Sequence, residues 1–186
     1  MDEGPDAAGD GGVSVAHGMK LFAVFVGGKH PRANIELHDI RFVVGASLEA
    51  TIPQLQAAWW GKPSSLHIDG YAELTEVDGW QVDLAQGLAP TGEERSLWFV
   101  NIGGYTPQLF GEQHTYLFLV GEDKAKAWTR ARALSPEWSG RHKDNCVTVD
   151  EVVEVNGLLG EGWHVRLTTP ATGAGPMRII SEYVKL

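Results

Sequence analysis

The chain has 186 residues, 43% of them hydrophobic, which is enough apolar material to bury a real core in one domain or in two small ones. Its formal net charge of -9 disfavours nucleic acid and acidic membrane surfaces as partners. The single cysteine, Cys146, excludes an intrachain disulfide and a multi-cysteine zinc site, and no stretch has the apolar length of a membrane span; a reducing cytoplasm is the expected compartment.

Residues 1–18 are mostly Gly, Ala and Asp, with four acidic side chains and no Lys or Arg. They lack the basic and apolar regions of a secretory signal and are expected to be disordered, with the folded part beginning at Met19. Residues 21–26 are apolar without alternation, as in a strand covered on both faces. Gly27-Gly28 is expected to end that strand in a turn. After a polar loop, residues 36–44 form a second strand, with Glu36, His38, Ile40, Phe42 and Val44 on one side of the pleat. The short loop makes an antiparallel hairpin.

Ser47 can cap a helix whose stripe is Leu48, Ile52, Leu55 and Trp59. Pro53 predicts a kink, or a helix that starts only near Thr51. Residues 66–75 and 80–84 are two further strands, joined through the turn signal Val77-Asp78-Gly79. Residues 85–95, with Gly87, Pro90 and Gly92, form a linker.

The order then returns. Strands are predicted over residues 98–102 and 116–120, and Asp123 caps a helix reaching Leu134, with Ala125, Trp128 and Ala131 on its inner side. Strands follow over 142–156 and 163–167, and residues 177–184 form an extra strand at an edge. Held in register, residues 21–45 and 97–121 share ten identical positions of twenty-five, where unrelated segments would share about two. The expected fold is therefore α+β, mainly antiparallel. It is a tandem duplication of a strand-strand-helix-strand-strand unit, copy one over 19–84 and copy two over 96–167, related by an approximate two-fold axis, with 168–186 as a tail.

Most positions shared by the copies are apolar or glycine and report folding. The polar ones are Glu36 and His38, matched by Glu112 and His114, and His67 and Asp69, matched by His142 and Asp144. Residues two apart on a strand face the same way, so each copy projects a Glu/His pair and a His/Asp pair that converge if the two strands are neighbours. Three readings stay open. The carboxylates hold the imidazoles in a purely structural network. A carboxylate orients a histidine that works as an acid or base. Or two His and two carboxylates hold a divalent metal such as zinc, iron or manganese. No other cofactor is indicated: neither G-x-G-x-x-G nor a P-loop follows the double glycine.

Of the seven tryptophans, Trp59, Trp80, Trp128 and Trp163 are expected in the core, and Trp60 and Trp138 near helix ends at the surface. The phrases KLFAVFVGG at 20–28, ELHDIRFVVG at 36–45, LHIDGY at 66–71 and LWFVNIGGY at 97–105 resemble a bacterial family defined as domain of unknown function 1543, which occurs in one or two copies per chain. The resemblance implies the duplication and a bacterial origin, and brings no activity, cofactor or catalytic residue. The leading expectation is a module binding a small molecule or metal. The alternatives are a non-catalytic scaffold that forms a homodimer through exposed tryptophans, and a small-molecule enzyme using a His/Asp or His/Glu pair.

Overall fold

The computed structural model describes residues 14–87, 94–135, 148–160, 162–169 and 177–186. In chain order these form β1 (Ser14–Val15), β2 (Lys20–Gly28), β3 (Leu37–Gly45), α1 (Leu48–Ala58), β4 (His67–Glu73), β5 (Glu76–Val77) and β6 (Trp80–Gln86). There follow β7 (Ser96–Gly104), β8 (Gln113–Gly121), α2 (Lys124–Leu134), β9 (Thr148–Glu154), β10 (Trp163–Thr168), β11 (Arg178–Ile180) and β12 (Val184–Lys185). The architecture is α+β and the described strand pairings are antiparallel. No helix among the described residues is long and apolar enough to cross a membrane.

One sheet runs β11-β4-β2-β3, with β12 also on β4, and a second runs β8-β7-β9. Their inner faces meet around Leu21, Ala23, Phe42, Val44, Leu97 and Val120. The outer face of the first sheet lies under α1, where Phe22, Val24 and Val26 pack on Leu55 and Trp59. The outer face of the second lies under α2. The central strands β2 and β7 are thus covered on both sides, which is why their sequences are apolar without alternation.

The two sheets also share a detail of register. β2 pairs with β3 over nine residues and with β4 through a bulge between Phe25 and Val26. β7 pairs with β8 over nine residues and with β9 through a bulge between Asn101 and Ile102. The strands β6 and β10 do not extend their own halves' sheets. They pair with each other, Trp163 opposite Gln86 through Thr168 opposite Gln81, and so tie the two halves together.

Several expectations change. The helix α1 begins at Leu48, with Ser47 Oγ accepting from the Ala50 N–H at 3.4 Å, and it carries Pro53 inside it rather than starting at Thr51. The inner side of α2 is Ala127 and Ala131, both fully buried; Trp128 is exposed and the Arg132 guanidinium lies over it at 4.8 Å. The predicted edge strand over 177–184 is broken into β11 and β12, both on β4. Gly27 and Gly28 do not form a turn after the strand. They are its last two residues, Gly27 paired with His38 and His67 and Gly28 with Leu37, and their lack of a side chain has a different use.

Candidate metal centre

β2 supplies the floor of the centre. Gly27 stands opposite His38 on β3 and opposite His67 on β4, so one glycine separates two histidines that face the same side of the sheet. The strands bearing these histidines are not neighbours, as the sequence pattern required for convergence. They are next-nearest neighbours, and the imidazoles meet only because nothing stands between them. A Cβ on Gly27 would lie 2.6 Å from His67 Nε2, 2.7 Å from Asp69 Oδ2 and 2.8 Å from His38 Cδ2. Gly28 has the companion role on the outer face, where a Cβ would lie 2.7 Å from the Trp59 ring.

The bulge places the third group. Ile68 stands opposite Val26 and Gly70 opposite Phe25, so Asp69 is the extra residue and turns its carboxylate back over the same face. Its Oδ2 lies 3.2 Å from His38 Nε2 and 3.4 Å from His67 Nε2. That oxygen is buried, and among the described residues no hydrogen bond ends on it. Glu36, just ahead of β3, brings Oε1 to 3.3 Å from His67 Nε2 and Oε2 to 3.9 Å from His38 Nε2. Ligand atoms of Glu36, His38 and His67 all lie within 4.8 Å of one another, and Asp69 closes against both imidazoles.

The histidines are held differently. His67 is buried, only 4% exposed, and its Nδ1 lies 2.9 Å from the Ser65 carbonyl oxygen. A carbonyl can only accept, so Nδ1 carries the proton and, in the neutral ring, Nε2 presents its lone pair to the two carboxylates. Ser65 is itself fixed: its hydroxyl accepts from the Lys29 N–H at 2.8 Å and donates to the Lys62 carbonyl at 2.7 Å. The Tyr183 ring leans on His67 at 4.8 Å. His38 is more open and stacks on Phe25, centroids 5.2 Å apart and planes 10° from parallel.

The sheet β8-β7-β9 pairs in the same manner as β3-β2-β4, with other side chains. His114 stands opposite Gly103, with Nδ1 at 3.1 Å from Asn101 Oδ1 and Nε2 at 4.0 Å from Glu112. The expected partners His142 and Asp144 lie outside the described residues, as do Cys146 and Trp138. By register, Thr148 occupies the place opposite Gly103 that His67 holds opposite Gly27, and Asp150 is the residue left over at the bulge. Asp39 does not join the centre; it pairs with Arg41 at 2.7 Å.

The profile of a family described as Domain of Unknown Function (DUF1543) matches residues 33–84, a span holding Glu36, His38, His67 and Asp69. Among solved structures, the chain is similar to the crystal structure of protein Il1583 from Idiomarina loihiensis. The two are 35% identical, with a TM-score of 0.65 over 89% of this chain and 97% of that one. Over residues 33–84 the chain resembles the DUF1543 family. No curated protein matches it.

Beside the centre, sequence reasoning missed three groups. Gly27 reads as a turn. Ser65 gives no signal, since it acts through its carbonyl. Tyr116 sits across from Phe25 at 5.7 Å, on the strand of the other half. Its phenol ionises above the ordinary tyrosine range, first because it is partly buried and then because the Asp39 carboxylate is near.

Proposed function

We propose that this chain binds one divalent metal ion through Glu36, His38, His67 and Asp69, and that zinc suits this donor set best. The observation that supports it is the position of His67. With its Nδ1 proton on Ser65, its Nε2 lone pair faces Glu36 Oε1 at 3.3 Å and Asp69 Oδ2 at 3.4 Å. Three electron-rich atoms so placed repel one another unless a cation lies among them, and that cation is a proton or a metal. A metal with bonds of 2.0–2.1 Å in tetrahedral geometry sets its ligand atoms about 3.3 Å apart, the spacing of these contacts. The backbone carbonyl behind His67 is also the usual device for orienting a metal-bound imidazole.

The test is a zinc titration of the full chain after dialysis against a chelator, read by competition with a chromogenic chelator and by elemental analysis. One equivalent is expected, with affinity at least about tenfold lower in His67→Ala and in Asp69→Asn. Binding should weaken in acid, where protons compete for the imidazoles. Failure of zinc, manganese and iron to bind in stoichiometric amount would assign the place to a proton and end the metal assignment.

The same reading treats residues 19–84 and 96–167 as two copies of one module about an approximate two-fold axis. The nine-residue β2–β3 and β7–β8 ladders and the bulges at matching positions support it. The centre belongs to the first copy, where histidines flank the glycine on both sides.

A further inference from the structure

One ligand of the centre, Asp69, borders a cleft of about 300 Å³ between the two halves. Asp69 lies in its wall, and the rest of the lining includes Ala23, Phe25, Ile40, Tyr116, Phe118 and Ile180. Phe25 stacks on His38 and Tyr116 packs on Phe25, so the aromatic wall of the cleft is continuous with the ligand set. Among the described residues no Lys or Arg lines it. The volume is at the small end of ligand pockets, enough for one ring and a short chain.

Resting on the metal assignment above, we infer that this cleft takes a small molecule with an aromatic or branched hydrocarbon body and an anionic head that coordinates the metal in place of Glu36, the most exposed of the four ligands. The described lining offers apolar surface to the body but no cation to the head. An anionic head would meet the Asp69 carboxylate and be repelled, so its counter-charge has to come from the ion that Asp69 helps to hold. The apolar body is what the aromatic wall selects. Binding of such a molecule is therefore conditional on metal, and the hydrocarbon body adds to the affinity.

The probes are acetohydroxamate and phenylacetohydroxamate, which share a head and differ by a ring. They are titrated calorimetrically into the full chain, with and without one equivalent of zinc. The phenyl compound is expected to bind the zinc-loaded protein about tenfold or more tighter than the acetyl compound, and neither should bind the metal-free protein. Two variants keep the result interpretable. Ala72 on β4 also lines the cleft, so Ala72→Leu pushes a side chain into it, and Tyr116→Ala takes away one wall. Each should keep its zinc and its affinity for acetohydroxamate, while the advantage of the ring falls below about threefold. Equal affinities in the unaltered protein, or an unchanged advantage in both variants, would overturn the cleft assignment while leaving the metal in place. Absence of zinc binding would overturn both, and tight binding of phenethylamine to the metal-free protein would reassign the cleft to cationic ligands.

Discussion

A methyl group on Gly27 has nowhere to go. It would fall within 2.8 Å of three atoms on His67, Asp69 and His38, all of them side-chain atoms from two different strands. Gly27→Ala is therefore expected to push the imidazoles apart and lower zinc affinity more than about tenfold, with a stability cost of about 1–3 kcal/mol from overpacking. Isothermal titration and urea unfolding read the two effects separately, and an unchanged zinc affinity would mean that the close approach is not needed for binding. The paired histidines and carboxylates were legible in the sequence because residues two apart on a strand share a face. The role of Gly27 was not, because its contacts come from Asp69 and His67 some forty residues away. The bulge that aims Asp69 was equally hidden: it is a property of how β4 pairs with β2, and no residue of LHIDGY announces it.

At the level of elements, the helix α2 separates what capping chemistry fixes from what it leaves open. Asp123 was readable as its cap and Leu134 as its end, and Asp123 Oδ1 accepts from the Lys126 N–H at 2.7 Å. Its buried face was readable only in part: of the predicted Ala125, Trp128 and Ala131, Ala131 alone is buried. Trp128 was placed beside Ala131 because hydrophobicity favours the tryptophan, whereas the buried partner of Ala131 is Ala127. The structure chooses the alanines because the helix lies close to β7, β8 and β9, against Trp98, Val100 and Val152, where small side chains allow the approach. Trp128 is left outside, shielded by Arg132. Ala127→Leu should then cost about 1–3 kcal/mol in urea unfolding, and Trp128→Ala less than about 1 kcal/mol. The reverse order would restore the face expected from sequence.

For the whole molecule, the question is how firmly one half holds the other. The exchange of β6 and β10 gives six residue pairs across the boundary, and the inter-sheet core adds Phe42 against Phe99 and Phe118. Asp78 adds a polar latch. It sits in the turn between β5 and β6 with φ of 54°, a left-handed conformation that aspartate tolerates and glycine adopts freely. Its Oδ2 accepts from the Val120 N–H on β8 at 2.7 Å and from Arg130 on α2 at 2.8 Å, while Arg130 also donates to the Val120 carbonyl. Asp78→Gly keeps the turn and deletes the latch. Loss of a charged acceptor from a half-buried amide should cost about 1–3 kcal/mol. Because the β6–β10 ladder and the shared core remain, that cost should appear as a lower urea midpoint of one cooperative transition with unchanged slope. Two separate transitions, in this variant or in the unaltered chain, would mean that the halves are held more loosely than their packing implies. A cleft walled by both halves would then lose its fixed shape.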